Sequence, residues 1–380
     1  MKTKTLLIVA FIFAISIPIA CVEPINLKIS TNVSILSIDG TIDDSDREQY
    51  ISIKKSLPSS GNVTYAPEKL AKVSIKENGN KVYDCVEKAP GLYYLPIGFK
   101  TIVGNTYVLN ITLSDGKTYK SEEEKMRSTP EISLLSVKFE PEGITRGNTK
   151  LPAHAIYLDS KDSPETGDYY LWSWKLFEKQ NYCKTCEGSY YVTYPAPQGK
   201  CIETAALREA ETIYDYACDG NCWDIFKSQD INIMSDVYSN GNEIKNRLIG
   251  KIPYFQTNGF LIEVTQQNVS PSAFRYLKIL ASQSQTNGTL ADAPPAALIG
   301  NITNINDKYE SVGGYFRVGN AKTKRLWVNR TDAIGFTPLG FYGGRLVNPE
   351  PAGDDPNRPP RAICVKSETR TPVMPEGWRF

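Results

Sequence analysis

The sequence predicts a mainly β protein, with an N-terminal immunoglobulin-like sandwich followed by a larger β-rich domain that carries a cysteine-bearing insertion and at least one helix. Three observations lead there. Short stretches alternate apolar and polar residues and are broken by turn residues, the pattern of half-buried strands. The 380 residues include 22 tyrosines and 5 tryptophans, side chains that suit a pleated surface and often keep a polar tip near water. Five of the 8 cysteines crowd between Cys183 and Cys222.

In chain order, Lys2 and Lys4 precede an apolar run from Leu6 to Ile17, then Pro18-Ile19-Ala20 and Cys21. This is the plan of a cleaved export leader, too short for a permanent membrane helix. Residues 1–20 are read as a lipoprotein signal, with Cys21 acylated after cleavage so that the protein is tied to a membrane through its lipid. No later stretch is apolar for long enough to span a bilayer.

Residues 21–130 are read as the immunoglobulin-like domain. Val33 to Ile38 and Ile51 to Ile53 open it. Val73 and Ile75 alternate with polar neighbours, Asn78-Gly79 suits a tight hairpin, and Val82 to Val86 returns. Tyr107, Leu109, Ile111 and Leu113 share one face of a strand that ends at Asp115-Gly116. The charge run Glu122-Glu123-Glu124-Lys125 and Thr129-Pro130 interrupt the alternation and mark the boundary.

Residues 131–380 form the second domain. Tyr170, Trp172, Trp174 and Leu176 fall on one strand face, and Phe260, Ile262 and Val264 on another. An insertion from about Asn181 to Trp223 lies between them. Ser270 as cap, Pro271 in the first turn and Ala273, Leu277 and Leu280 at helical spacing predict a helix. Pro351 to Pro360 reads as irregular.

With Cys21 given to lipid, Cys183, Cys186, Cys201, Cys218, Cys222 and Cys364 are candidate disulfide partners, allowing fifteen pairings among which sequence does not choose. A zinc site from Cys183-x2-Cys186 and Cys218-x3-Cys222 is the rival reading; an oxidising compartment favours bridges. Cys85 alternates with Tyr83 and is expected to be a buried free thiol.

Composition and motif exclude several functions. Lysine and arginine number 43 against 42 acidic residues, so no basic field draws nucleic acid. There is no phosphate-binding loop or dinucleotide fingerprint. His154 is the single histidine and has no nucleophile motif around it. No catalytic residue, cofactor or metal is therefore assigned. Asp159, Asp162, Glu165 and Asp168 crowd one loop, which reads as a solvated acidic turn rather than a calcium site. Tyr190, Tyr191, Tyr194 and Trp223, on or beside the insertion, are the candidate ligand contacts; Trp172 and Trp174 are expected to pack in the sheet. The sequons at Asn32, Asn110 and Asn301 carry little weight.

Several short segments recur together in a fixed order: Cys21-Val22-Glu23-Pro24, Gly300-Asn301-Ile302-Thr303-Asn304, Gly313-Gly314-Tyr315-Phe316, and Cys364 followed by Pro375-Glu376-Gly377-Trp378. In these the chain resembles the Bacteroidota outer-membrane lipoprotein family filed as domain of unknown function 4249. The resemblance implies an accessory or substrate-handling role beside a TonB-dependent outer-membrane receptor. The expected function is thus an anchored binding or accessory subunit at the outer membrane, on the cell surface rather than the periplasmic face. A surface glycan hydrolase using paired carboxylates and an adhesin are the alternatives.

Overall fold

The computed structural model describes residues 34–57, 64–193, 199–284, 298–342, 345–351 and 360–380. The leader, Cys21, Asn32, Val33, Tyr194 and most of the proline-rich stretch lie outside the described residues. The chain is mainly β, as the alternation predicts, and no described helix is long and apolar enough to cross a membrane.

Alternation in the first hundred residues produces two sheets that face one another. Strand Leu36–Ile42 buries Leu36, Ile38 and Ile42, and its antiparallel neighbour Tyr50–Leu57 buries Ile51 and Ile53. Opposite them, Lys72–Glu77 and Thr106–Thr112 pair antiparallel and point Val73, Ile75, Tyr107, Leu109 and Ile111 into the same core. The hairpin turn forms where Asn78-Gly79 stands, with φ of 48° and 74°. The side chain of Asn78 also accepts from the Thr106 amide at 2.9 Å. Val82 and Val86 turn outward and are exposed. They belong to two short strands, Lys81–Asp84 and Val86–Ala89, so the apolar face does not continue through the return.

This first sandwich is completed from far down the chain. Ile302–Asn304 pairs with Thr118–Ser121, while Val312–Gly313 and Phe316–Val318 run parallel to Leu36–Ile42. Ile302, Val312, Phe316 and Val318 belong to its core. The glycines of the returning segment are required by close approach. Gly314 has φ of 89°, and a Cβ there would stand 2.2 Å from the Ile38 carbonyl oxygen. A Cβ on Gly300 would meet the Gly314 carbonyl oxygen at 1.9 Å. Asn301, buried at 2% exposure, pins the same turn by donating to the Phe316 carbonyl at 2.8 Å and accepting from its amide at 2.9 Å.

A second sandwich begins at Ile132. One sheet is Ile132–Arg146, Thr149–Lys161 and Glu243–Pro253; the other centres on Tyr169–Lys179, flanked by Phe260–Asn268 and Trp223–Lys227. Tyr170, Trp172 and Leu176 are buried between the sheets, and Trp174 packs against them half-buried. The Trp172 indole donates to Gln266 at 2.8 Å, which satisfies its one polar atom. At one end a fully buried ion pair joins Arg330 to Glu178, which also accepts from Gln256 at 2.8 Å. A polar seam links the sandwiches: the Thr129 amide donates to Asn320 at 2.9 Å, and the Asn268 amide donates to the Thr129 hydroxyl at 2.8 Å. Helix Pro271–Ser284 starts where expected, with the Ser270 hydroxyl accepting from the Ala273 amide at 3.1 Å.

The cysteine-bearing insertion forms a knob beside the second sandwich. Strands Tyr182–Glu187, Ile213–Asp219 and Arg361–Ile363 make a small sheet, and Ser189–Val192 pairs with Lys200–Glu203. The bridges are Cys183–Cys218, Cys186–Cys201 and Cys222–Cys364. The last of them joins the chain's final segment to the knob.

Candidate functional site

Where the knob meets the second sandwich, a cleft of about 290 Å³ is walled by half-buried aromatic rings. Phe226 comes from strand Trp223–Lys227, Phe255 follows Glu243–Pro253, and Phe341 lies on a loop. That loop is held by backbone bonds from Leu339 to Tyr254 at 2.8 Å and from Gly340 to Phe255 at 2.9 Å. The phenyl planes are nearly parallel: 14° between Phe226 and Phe255 and 23° between Phe255 and Phe341, with centroids 5.4 Å apart in both pairs. Tyr182 and Tyr342 continue the wall edge to face. Burial, with the nearby Asp215 and Asp224 charges, pushes the Tyr342 phenol up to about 12, so it stays a neutral donor.

The polar rim is fixed. Asp224 accepts from Gln180 at 2.8 Å and from Arg370 at 2.6 Å, and Arg370 also donates to the Cys183 carbonyl at 2.7 Å. Lys184 and Thr185 line the same cleft. A flat apolar wall facing hydrogen-bonding groups on a rigid frame is suited to holding a ring with one apolar face. With Asp224 held by two donors, the rim offers no free carboxylate pair for acid–base chemistry.

A larger cleft of about 600 Å³ runs along the seam between the sandwiches, lined by Lys125, Arg127, Glu165 and Asp168. Arg127 stands 3.6 Å from Asp168, which also accepts from Asn268 at 2.8 Å. The acidic loop is structural by the same logic. Asp162 accepts from Tyr170 and, at 2.8 Å, from Ser239; Asp159 accepts from the Asn246 amide at 2.7 Å. Glu165 is exposed.

The residues singled out in the sequence are distributed as follows. All six candidate cysteines are bridged, so the thiolates a zinc ion would require are consumed, although the sulfurs of Cys183, Cys222 and Cys364 lie within 4.8 Å of one another. Cys85 is the free cysteine among the described residues, and burial pushes its thiol up to about 12. Tyr190 is half-buried on the knob and Tyr194 lies outside the described residues. Tyr191, at 2% exposure, and Trp223, at 0%, need correction as ligand contacts. Tyr191 packs among the bridges and Trp223 against Phe177 and Leu261, because each faces a core rather than the cleft. His154 is fully buried among Phe139, Tyr254 and Phe260. Its Nε2 lies 3.1 Å from Asp332, and burial lowers its pKa, which favours the neutral ring. Phe226, Phe255 and Phe341 escaped the sequence reading because they come from three separated segments with no shared period. Two of them lie outside strands, and the Gly335-Phe336 and Gly340-Phe341 pairs were the available hint.

The chain matches the family described as Domain of unknown function (DUF4249) over residues 22–325. It belongs to that family. The match takes in the first sandwich with its returning strands, most of the second sandwich and five of the six bridged cysteines; Cys364, Phe341 and Tyr342 lie beyond it. No curated protein matches the chain.

Proposed function

We propose that this DUF4249 member is a lipid-anchored binding subunit of the outer membrane that works beside a TonB-dependent receptor. In this reading it holds its ligand in the aromatic cleft at the base of the knob. The single observation that carries the binding role is the stacked Phe226, Phe255 and Phe341 wall. Three partly exposed phenyl rings, one on a strand and two on the segments bonded beside it, are kept nearly parallel and leave apolar surface open to water, which a monomeric core would bury. The leader ending at Cys21 supports the anchor, and the family resemblance supports the receptor partnership. A ligand of fitting chemistry is a sugar ring, with its apolar face on the phenyls and its hydroxyls toward Lys184, Thr185 and Arg370.

Two experiments test the reading. Affinity purification from detergent-solubilised outer membranes is expected to bring down a β-barrel receptor in near-stoichiometric amount, and mass spectrometry to find acyl chains on Cys21. An unmodified amino terminus, or recovery from the cytosol with the leader intact, overturns the anchor. For the cleft, a glycan-array hit whose affinity falls at least tenfold in Phe255→Ala and Phe341→Ala supports binding there. Equal binding by both variants removes the cleft from the proposal.

A further inference from the structure

The seam between helix Pro271–Ser284 and strand Leu36–Ile42 contains a third, separate cleft of about 180 Å³. Ala273, Tyr276, Leu277 and Leu280 of the helix form one wall, Gly40 and Thr41 of the strand form the other with Asp39, which accepts from Ser37 at 2.9 Å, and Tyr315 and Arg317 close the end. Arg317 sits beside Thr41 in the parallel pairing that returns the chain to the first sandwich.

The arginine is the unusual member. It is half-buried and lines the cleft. Its Nε is buried without a hydrogen-bond partner, and no described carboxylate forms an ion pair with it. Of the two carboxylates that influence it electrostatically, Asp43 is engaged on both oxygens and Glu124 on Oε1 alone, its Oε2 being buried without a partner. Asp43 accepts from Arg47 at 2.6 Å and from the Ser45 amide at 3.0 Å; Glu124 accepts from Tyr315 at 2.7 Å and from Asn301 at 3.0 Å. A buried N–H with no acceptor is costly, and the planar guanidinium fork matches a carboxylate. Ala273, Leu277 and Leu280 give the neighbouring wall an aliphatic patch, with Asp39 and Tyr276 at its margin.

We propose that this cleft binds a small monocarboxylate with an apolar tail, the carboxylate on Arg317 and the tail against Ala273, Leu277 and Leu280. The volume sets the size: an apolar cavity of roughly 150 Å³ takes benzene, so acids as large as butyrate, isovalerate or benzoate fit. A bound acid touches the helix and the strand together and so ties the second sandwich to the first. The inference stands apart from the aromatic cleft, with which it shares no residue.

Calorimetric titration of the full chain with butyrate, isovalerate and benzoate, each against its neutral alcohol, tests it. Saturable binding of the acids, with the alcohols at least tenfold weaker, is expected. Arg317→Gln is expected to lose at least tenfold in affinity, with Arg317→Lys between the two. Leu280→Trp fills the cleft while keeping the charge, and is expected to abolish binding; it decides the matter if circular dichroism shows Arg317→Gln to be misfolded. A peptide ending in free leucine, compared with its amide, distinguishes a chain terminus from a free acid as the natural source of the carboxylate. Acids that bind no better than alcohols, or wild-type affinity in Leu280→Trp, overturn the proposal.

Discussion

Ile38, Ile51, Ile53 and Ile75 are each fully buried in the first sandwich, whose core is mainly aliphatic and aromatic side chains from two facing sheets. The knob has almost none of this: its cluster consists of bridged cysteines, Tyr191, Tyr216 and Ala362. In the first region the apolar side chains that create the fold are used up in doing so. In the second, sulfur bridges and the Asp215–Arg345 pair fix the backbone, and aromatic rings stay half-exposed at its base, where the cleft is. The difference shows where binding surface can survive in a β protein, namely where something other than apolar burial sets the geometry.

The contrast breaks first if the bridges are dispensable. Replacing Cys222 and Cys364 together by serine opens a link between residues 142 apart in sequence and is expected to cost about 5 kcal/mol. Urea denaturation would register this as an early loss of the knob's signal. Arg330→Met strands the buried Glu178 carboxylate at 0% exposure and should lower stability by about 4 kcal/mol; replacing both partners with apolar residues is expected to restore most of that loss. Gly314→Ala attacks the first sandwich instead. With the Ile38 carbonyl 2.2 Å from the new carbon and a positive φ, a cost of about 3 kcal/mol is expected, visible as faster hydrogen exchange in Leu36–Ile42.

Acid sharpens the comparison. Hydrogen bonds from Arg345 hold the Asp215 carboxyl down to about 2. Its stabilisation is therefore complete above about pH 4, the unfolded carboxylate range, and is lost as pH falls toward 2, a contribution of about 2 kcal/mol. Asp215→Asn should flatten the knob's acid transition and leave that of the first sandwich unchanged. Smallest is Cys85→Ala, at about 1 kcal/mol. The raised thiol of Cys85 also predicts slow alkylation at pH 8 until the protein unfolds, which mass spectrometry can time.

What could be read from the sequence follows the same division. Tyr107, Leu109 and Ile111 alternate over a full strand and report their burial directly, as the helix at Pro271 does through its serine cap and apolar spacing. Ile302–Asn304 and Val312–Gly313 are too short to show a period, so their partnership with strands near the start was not visible. Six cysteines announce bridges but not their pairing, because pairing depends on which strands become neighbours. The cleft was the least visible part, since its rings come from segments that meet only after the knob closes on the second sandwich. Tyr191 and Trp223 attracted notice through residue type and position beside cysteines, and type alone does not distinguish a ring facing a core from one facing solvent.

The strand Phe316–Val318 that lies against Leu36–Ile42 also orders events in time. A chain that emerges amino end first presents the opening sheet early, yet the edge of that sheet stays bare until nearly all of the second sandwich has followed. A fragment ending near residue 130 would therefore expose an unpaired edge and lack four core side chains. The protein is finished by going back to where it began, and anything that delays the later strands leaves the earliest ones open to pairing with a neighbouring molecule.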